Sequence, residues 1–409
     1  MSASGTALRW LGAVTGSSTR AARPGPGLVA LGGMLALASA MGIGRFVYTP
    51  ILPAMIEALD LSKAEAGLIA SANFVGYLAG ALVAAAPRLP GSRRAWFLGA
   101  LLLGAATTAA MGLVGSLWGF LLLRLIGGTA SAFVLVLGSD LILDRLAAVG
   151  RGSLSALHFA GVGLGIAASA ALVTALEAAG ADWRGLWVAV GGAAAAVVPV
   201  VVWLVPAEAV APARPVSVDA PVARRPSGLG RLALCHGLFG FGYVATATFL
   251  VAVVRASPEA RALEPVVWLI VGLAALPSTA AWGWAGTRIG PRWAYAAACL
   301  LEALGVAAGG LWTTSAGALL TAALLGGTFM GITALGFAAA RALAPDDQRR
   351  AFALTTAGFG VGQIAGPVMD GLLLDRTGGF AAPSLLAAAA LLLAASLITR
   401  GEPRASMEG

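Results

Sequence analysis

The chain has 409 residues, of which 59% are hydrophobic and only 11% are charged. Soluble domains carry roughly 25% charged residues, so the composition excludes an ordinary soluble domain and indicates a polytopic membrane protein. The formal net charge is +8 at neutral pH. Because the basic residues are interspersed between apolar runs, we assign them to membrane topology rather than to binding of nucleic acid.

Twelve apolar runs are long enough to cross a bilayer as helices, which need about 20 residues each. They lie at residues 28–52, 64–86, 95–115, 117–143, 153–175, 185–205, 232–254, 265–286, 293–312, 315–339, 351–373 and 381–399. A linker at 206–231 separates two six-helix halves, 28–205 and 232–399, and tails of 1–27 and 400–409 flank them. The predicted fold is an all-α membrane protein with twelve transmembrane helices.

The distribution of basic residues predicts the orientation. If the N-terminus lies inside, most arginines fall on the cytoplasmic side, and the basic residues on the outer side are Lys63, Arg184, Arg255, Arg261 and Arg376. The positive-inside rule therefore predicts that both termini are cytoplasmic. The abundance of Ala, Gly and Arg is typical of a GC-rich bacterial genome, so we place the chain in a bacterial inner membrane.

The first span contains a charge, Arg45, in the segment Gly42-Ile-Gly-Arg-Phe-Val-Tyr-Thr-Pro50. A charge at the bilayer centre costs about 2.5–3.5 kcal/mol, so Arg45 should face the protein interior or a wet cavity. Pro50 and Pro53 are expected to break this helix where it leaves the membrane.

Three glycine-rich segments recur in the second half at nearly one sequence separation. The matches are Gly42-Ile-Gly44 with Gly240-Phe-Gly242, Gly127-Gly-Thr129 with Gly326-Gly-Thr328, and Ala160-Gly-Val-Gly-Leu-Gly165 with Ala357-Gly-Phe-Gly-Val-Gly362. Six spans per copy make the two halves parallel, which predicts a site at their interface near the midplane. Glycines every four residues in the fifth and eleventh spans permit close packing, and a sliding contact between halves is the functional alternative. We favour packing with some rocking.

These features carry a resemblance to the major facilitator superfamily. The segment Gly283-Trp-Ala-Gly-Thr-Arg-Ile-Gly-Pro-Arg292 resembles the superfamily's loop motif between the second and third spans of each half. Arg124-Leu-Ile-Gly-Gly-Thr-Ala-Ser-Ala132 resembles its fourth-span motif, which is often linked to proton coupling. Gly44-Arg-Phe-Val-Tyr-Thr-Pro50 and His158-Phe-Ala-Gly-Val-Gly-Leu-Gly165 are similar to the YbfB/YjiJ branch.

Arginines inside the membrane are functional candidates by default, so Arg45 and Arg124 are placed in a substrate site. The substrate-binding set is Arg45, Tyr48, Asn73, Tyr77, Arg124, Tyr243 and Gln363. Two unpaired arginines would repel each other, so an anionic solute, Asp370 or both should lie between them. The alternative for Arg124 is a structural role, in which backbone carbonyl groups and one acidic side chain bind its guanidinium group.

A second set of residues is expected to act in gating or proton coupling: Arg93, Arg94, Arg124, Asp140, His158 and Asp370. Asp140 should pair with Arg93 and Arg94 in a latch that breaks when the inner side opens, and a solvated helix end is the alternative. His158 could relay protons near neutral pH, although a lone histidine is more often a hydrogen-bonded interior residue.

The sequence contains no metal-ligand cluster, phosphate-binding loop or nucleophile motif. We therefore predict that the protein is not an enzyme and uses neither a metal nor a cofactor. Cys235 and Cys299 lie inside apolar runs and are expected to be buried thiols.

The resemblance implies a secondary active transporter that moves a small organic solute by alternating access. An anionic or amphipathic solute is favoured because two membrane arginines need a counter-charge. We expect proton-coupled export by a monomer surrounded by membrane lipid. The fifth span lacks the Gly-Pro motif usual in antiporters of the superfamily, which weakens the case for antiport. The alternatives are a lipid flippase of the same fold and a non-transporting membrane sensor.

The predicted orientation can be tested by cysteine labelling on intact cells, with Cys235 and Cys299 replaced by alanine. A membrane-impermeant maleimide should label Glu259→Cys, in the predicted outer loop after the seventh span. It should label Ser217→Cys, in the linker, only after the membrane is permeabilised. Ready labelling of Ser217→Cys on intact cells would contradict the orientation.

Overall fold

A computed structural model describes residues 24–86, 89–205 and 228–400. These residues form helices and connections, with no strand among them. Twelve helical segments are long and apolar enough to cross a membrane, so the predicted all-α, twelve-span fold is confirmed. The predicted tails and linker lie almost entirely outside the described residues.

We number the helices by the span that they form, and the first span has two parts. The helices are α1a (Pro26–Leu37), α1b (Tyr48–Leu59), α2 (Lys63–Ala84), α3 (Arg93–Ala110), α4 (Leu117–Ala148), α5 (Ser155–Ala178), α6 (Trp183–Leu204), α7 (Leu229–Ala256), α8 (Glu264–Ile289), α9 (Pro291–Leu311), α10 (Ser315–Leu343), α11 (Gln348–Thr377) and α12 (Ala381–Thr399).

Polar side chains fix where several of these helices begin. Ser62 and Glu65 form a reciprocal capping box at the start of α2. The hydroxyl groups of Ser116 and Thr314 accept from the backbone amides of Gly119 and Gly317 at the starts of α4 and α10. Each cap satisfies an amide that has no partner within the helix.

Successive spans run in opposite directions, so the connections gather at two faces of the molecule. We call the face where α6 ends and α7 begins the linker face. The opposite face, which holds the connection between α1b and α2, is the far face. The predicted orientation makes the linker face cytoplasmic.

The first span is broken, but not where the prolines suggested. A π-helical segment at Ala38–Ile43 and a turn at 44–47 separate α1a from α1b. The prediction of a break at Pro50 and Pro53 is therefore wrong. Pro50 lies in the first turn of α1b, where amides have no helical partner in any case, and the helix continues past Pro53.

The repeated glycines pack helices together inside each half. A Cβ atom on Gly165 of α5 would lie 2.2 Å from the carbonyl oxygen of Ala38 in the first span. A Cβ atom on Gly362 of α11 would lie 1.9 Å from the carbonyl oxygen of Gly237 in α7. The first and fifth helices of each half therefore pack alike. The favoured packing role of these glycines is confirmed. The alternative of a sliding contact between halves is wrong, because the contacts of these glycines do not cross the interface.

The two halves meet along three helix pairs, α1b with α7, α2 with α11 and α5 with α8. The hydroxyl group of Thr49 donates to the carbonyl oxygen of Ala247 across this interface, at 2.8 Å. Other glycines allow close approach here: a Cβ atom on Gly163 of α5 would lie 2.7 Å from the carbonyl oxygen of Gly272 in α8. Small residues thus line the contact between halves as well as the contacts within them.

Candidate functional site

Arg45 lies in the turn that follows the π-helical segment, and it is only 3% exposed. Its guanidinium carbon lies 4.4 Å from the ring centre of Phe74 and 4.3 Å from that of Tyr77. These two rings are three residues apart on α2 and so share one face of that helix. Within the described residues, the Nε and Nη2 atoms of Arg45 are buried and have no hydrogen-bond partner.

The two aromatic contacts explain how Arg45 is tolerated without an acid. Each cation–π contact of a desolvated arginine contributes about 0.5–2 kcal/mol, which offsets part of the cost of burying the charge. Aromatic rings do not replace the hydrogen bonds that the guanidinium loses on leaving water. Its free nitrogen atoms are therefore suited to binding an anion.

Arg124 of α4 holds the broken backbone of the first span. Its Nη1 and Nη2 atoms donate to the carbonyl oxygens of Gly44 and Arg45, each at 3.0 Å. In the turn, the amide of Thr49 bonds to the carbonyl oxygen of Phe46 rather than to that of Arg45. Arg124 thus donates the hydrogen bonds that a continuous first helix would have supplied to these carbonyl oxygens. This is the structural alternative raised for Arg124, although in the described chain no acid accompanies the carbonyl groups.

Two predicted substrate contacts, Asn73 and Tyr48, bond to the backbone of neighbouring helices. The amide nitrogen of Asn73 donates to the carbonyl oxygen of Arg124 at 3.0 Å, and its Oδ1 atom is buried without a partner in the described chain. The hydroxyl group of Tyr48 donates to the carbonyl oxygen of Ala66 at 2.9 Å. Its ring lies 5.1 Å from the guanidinium carbon of Arg124. Asn73 therefore retains one free acceptor, whereas Tyr48 is occupied in packing α1b on α2.

The second half contributes Tyr243 and Gln363. The amide nitrogen of Gln363 donates to the hydroxyl group of Tyr243. The Oε1 atom of Gln363 is buried, with no partner in the part of the chain that the structure describes. The predicted residues of this half are therefore brought together, and one acceptor remains available.

An aromatic cluster surrounds Tyr243. Its ring stacks on Phe239, Phe329 and Phe359, with ring centres 5.1, 5.6 and 5.9 Å apart. Phe46, next to Arg45, meets Phe329 edge-on at 5.9 Å, which joins the two halves. Sequence reasoning missed these phenylalanines. The one available signal was that Phe239 and Phe359 lie one helical turn before Tyr243 and Gln363.

Two cavities lie along the interface of the halves, one at the centre and one nearer the linker face. At the centre, between Phe46, Tyr243 and Phe329, the cavity is only about 10 Å³. A cavity of about 240 Å³ separates α2 from α11 nearer the linker face, and its lining residues are Ala81, Leu82, Ala85, Ala86, Phe352, Ala353 and Thr356. Tyr77, Ala81 and Ala85 are spaced four residues apart and so lie on one face of α2 and its C-terminal end. This face extends from the cavity to the Tyr77 ring, which contacts Arg45.

Residues 37–399 match the family model described as "Uncharacterised MFS-type transporter YbfB". The chain belongs to this family. The predicted superfamily and branch are thereby confirmed, and this transporter has no match among curated proteins.

Two solved structures show the same fold as this transporter. One is the nucleoside transporter NupG (D323A mutant), with a TM-score of 0.67 and 14% identity over 90% of this chain and 98% of that one. The other is a bacterial homologue of the human lysosomal transporter Spinster, in an inward-facing and occupied conformation. Its TM-score is 0.68, with 16% identity over 90% of this chain and 95% of that one.

An ion cluster closes the far face of the transporter. Arg255, at the end of α7, contacts Glu57 at 3.2 Å and Glu177 at 3.4 Å, both in the first half. It also pairs with Glu264 in its own half. The Arg255 side chain is 19% exposed, so these ion pairs are partly shielded from water. Two of the three cross the interface and hold the halves together at this face.

A carboxylate of one half caps a helix of the other at the same face. The side chain of Asp375, near the end of α11, accepts from the amides of Lys63 and Ala64, at 3.1 and 2.9 Å. These amides open α2 and have no partner within it. The positive end of the α2 dipole favours the negative charge, so the contact joins the halves at their far-face ends.

The predicted latch at the linker face is not a contact between halves. Arg93 and Asp140 do pair, at 3.4 Å, but both side chains are about half exposed and both belong to the first half. Arg94 instead donates to the carbonyl oxygens of Val202 and Val205 at the end of α6. The predicted pairing of Asp140 with Arg93 is therefore confirmed and its pairing with Arg94 is wrong. Both contacts lie within the first half, and a role of the Arg93–Asp140 pair in gating stays a prediction.

Two further predicted residues lie away from the arginines. His158 of α5 is buried, with its Nε2 atom 3.4 Å from the hydroxyl oxygen of Ser139. Asp370 lies in the second half, where it lines a small cavity with Thr246 and Ser384. It forms no ion pair in the described chain. The expectation that Asp370 lies between the two arginines is therefore wrong, because its side of α11 faces the second half.

The structural role of Arg124 predicts a loss of stability on its removal. Arg124→Leu should lower the melting temperature strongly, because each charge-assisted bond contributes about 1.5–3 kcal/mol and two carbonyl oxygens would be left unpaired. Arg45→Ala is the matched control, since it removes a second buried arginine that bonds to no other group through Nε or Nη2. Equal melting temperatures for Arg124→Leu and the wild type, measured on purified protein, would contradict this role.

Proposed function

We propose that this transporter moves a small organic anion across the bacterial inner membrane by alternating access. In this proposal it is a proton-coupled exporter, works as a monomer within the lipid bilayer and has both termini in the cytoplasm. The observation that carries the proposal is Arg45, a buried charge that is stacked on two rings and has free donor atoms at the interface of the halves.

The groups around Arg45 favour a particular kind of solute. Free Arg45 nitrogen atoms favour a carboxylate or another oxyanion. The free oxygen atoms of Asn73 and Gln363 are acceptors, which favours a hydroxyl or amine group elsewhere on the solute. The aromatic cluster favours an apolar body. The proposed substrate is thus a small amphipathic anion that also carries a hydrogen-bond donor.

The arrangement of the halves supports alternating access. Arg255 and Asp375 close the far face, whereas the 240 Å³ cavity lies toward the linker face. With the linker face in the cytoplasm, this conformation is inward-facing, as is the solved Spinster homologue. A solute would then approach Arg45 along the α2 face that carries Ala85, Ala81 and Tyr77. Opening the far face would release the same solute outside.

Ligand-dependent melting of purified variants tests the site. The probes are monocarboxylates with an aromatic or aliphatic body, and the corresponding neutral amides are matched controls. A carboxylate that binds should raise the wild-type melting temperature, since ligand at 100 times Kd adds about 2.7 kcal/mol of stability. The amides should not. Arg45→Ala should weaken binding about 30-fold or more, which corresponds to losing one buried charge pair of about 2–5 kcal/mol.

The control variant for this experiment is Arg288→Ala. Arg288 also stacks on an aromatic ring, that of Trp284 at 5.1 Å, but it lies near the end of α8 and is exposed. This variant should retain the wild-type response to carboxylates. Wild-type affinity in Arg45→Ala would exclude the proposed substrate role, whatever happened to its stability.

Alternating access also predicts that Arg255 sets the population of the closed far face. Spin labels on Leu113→Cys and Arg376→Cys would report the distance between the halves at this face, because Leu113 is 75% exposed and Arg376 is exposed. Arg255→Ala should increase the long-distance population, since it removes both ion pairs that cross the interface. Arg261→Ala removes an exposed arginine from the same connection and should leave the distances unchanged. An unaltered distribution in Arg255→Ala would contradict the gating role.

A further inference from the structure

The second half contains a small cavity, with a mostly apolar wall, that is separate from the arginine site. About 20 Å³ of space lies between α7, α9, α10, α11 and α12. This is room for about one water molecule, which needs at least 10–15 Å³ measured in the same way. The side chains of Asp370, Thr246, Thr321 and Ser384 supply polar groups, and apolar residues such as Phe249 and Leu250 form most of the wall.

Two polar atoms on this cavity have no partner in the described chain. They are the Oδ1 atom of Asp370 and the hydroxyl group of Thr246, and both are buried. Asp370 is only 5% exposed as a residue. A buried carboxylate with no cation and no hydrogen bond is costly, and a proton removes that cost by making the group neutral.

Within the described chain, no other charged group faces this carboxyl group. The charged side chains nearest the far face on the elements packed around it are Lys63 and Glu65 of α2, Arg255 of α7, Glu302 of α9, and Asp375 and Arg376 of α11. None of them lines the cavity, and none lies within ion-pair distance of Asp370. The charge on Asp370 must therefore be balanced by what enters the cavity.

The lining favours a proton over a metal ion. Hard cations bind six or more oxygen ligands. The side-chain oxygens on the cavity are two from Asp370 and one each from Thr246, Thr321 and Ser384. These five are too few to surround such an ion, whereas one proton needs only the carboxylate.

One side of α11 borders the cavity, and another side contacts α2 at the far face. Gly371 of α11 packs on α2, where a Cβ atom would lie 2.3 Å from the carbonyl oxygen of Lys63. Asp375, one turn further along, caps α2 through the bonds described above. Asp370 precedes Gly371 in the sequence, so its side chain points about 100° away from the direction of Gly371 around the helix axis. Along the axis, Asp370 lies about 10 Å from the far-face end of α11. A change at Asp370 therefore acts on the segment that seals the far face.

We propose that Asp370 and its cavity form a proton-binding site that controls closure of the far face. Asp370 takes a proton from hydronium in the far-face water, so that an O–H bond forms and a water molecule is released. The neutral side chain fits the apolar cavity, and α11 then seats against α2. Loss of the proton to water restores the carboxylate, which draws water into the cavity and unseats α11. This inference extends the proton coupling in the proposed function and rests on alternating access.

The test measures far-face distances against pH, with labels at Leu113→Cys and Arg376→Cys in a lipid nanodisc. In the wild type, raising the pH should increase the ratio of open to closed molecules about fivefold or more, the lower end of typical coupling. Asp370→Asn should keep the low-pH ratio at every pH. Glu259→Gln, which changes an exposed acid at the same face, should retain the wild-type response. A pH response that persists in Asp370→Asn would overturn the proposal.

A second variant covers the case in which Asp370→Asn does not fold. Thr246→Val removes the neighbouring hydroxyl group and keeps the shape of the side chain. Within the described chain the Thr246 hydroxyl group has no partner, so it is free to donate, directly or through water, to the carboxylate that forms when Asp370 loses its proton. Because a hydroxyl group bonds more strongly to a carboxylate than to a neutral acid, losing this donor should move the pH midpoint upward by about 0.4–1 unit. An unchanged midpoint would overturn the proposal.

A change of salt distinguishes a proton from a metal ion in this cavity. Replacing choline chloride by sodium chloride at fixed pH should leave the wild-type distances unchanged. A sodium-dependent shift that Asp370→Asn abolishes would assign the cavity to a metal ion and overturn the proton assignment. Because none of these measurements uses a solute, a failure here is distinguishable from a failure of the Arg45 experiment.

Discussion

The central site depends on two hydrogen bonds. The guanidinium group of Arg124 donates them to the carbonyl oxygens of Gly44 and Arg45. A helix that breaks within a membrane leaves backbone groups without partners, and lipid cannot replace them. Arg124 supplies the missing donors from a neighbouring helix. The break in turn carries Arg45 out of a regular helical path and onto the rings of Phe74 and Tyr77. One arginine is therefore used to position another.

The two halves contribute different properties to the site. The first half provides charge and a deformable backbone, since its first span contains a π-helical segment, a feature that often marks functional positions. The second half provides a wall of stacked rings around Tyr243. The matching glycines show that both halves share one packing arrangement. The difference therefore lies in the side chains and in the break of the first span. A site with one basic half and one aromatic half suits a solute that has a charged end and an apolar end.

The spans, their number and the repeat could be predicted from sequence because each is a property of many residues at once. Hydrophobic length identifies a span whatever its neighbours are. The break in the first span could not be predicted, because it depends on Arg124, which is distant in sequence. The direction in which Asp370 faces was missed for a related reason. Its helix is apolar on several sides, so a single acidic residue does not reveal which side faces the second half. The pairing of Arg93 with Asp140 was foreseen, but the contact of Arg94 with the end of α6 was not.

The exposed partners of Arg255 make the closed conformation depend on the medium outside the far face. The Glu57 side chain is 67% exposed, so dissolved ions reach this pair readily. The screening length of a salt solution is about 10 Å at 0.1 M and about 3 Å at 1 M. Rising salinity therefore weakens the attraction across the interface, while the stacked rings at the centre are unaffected. In the proposed transport cycle, a higher salt concentration outside is therefore expected to favour opening of the far face.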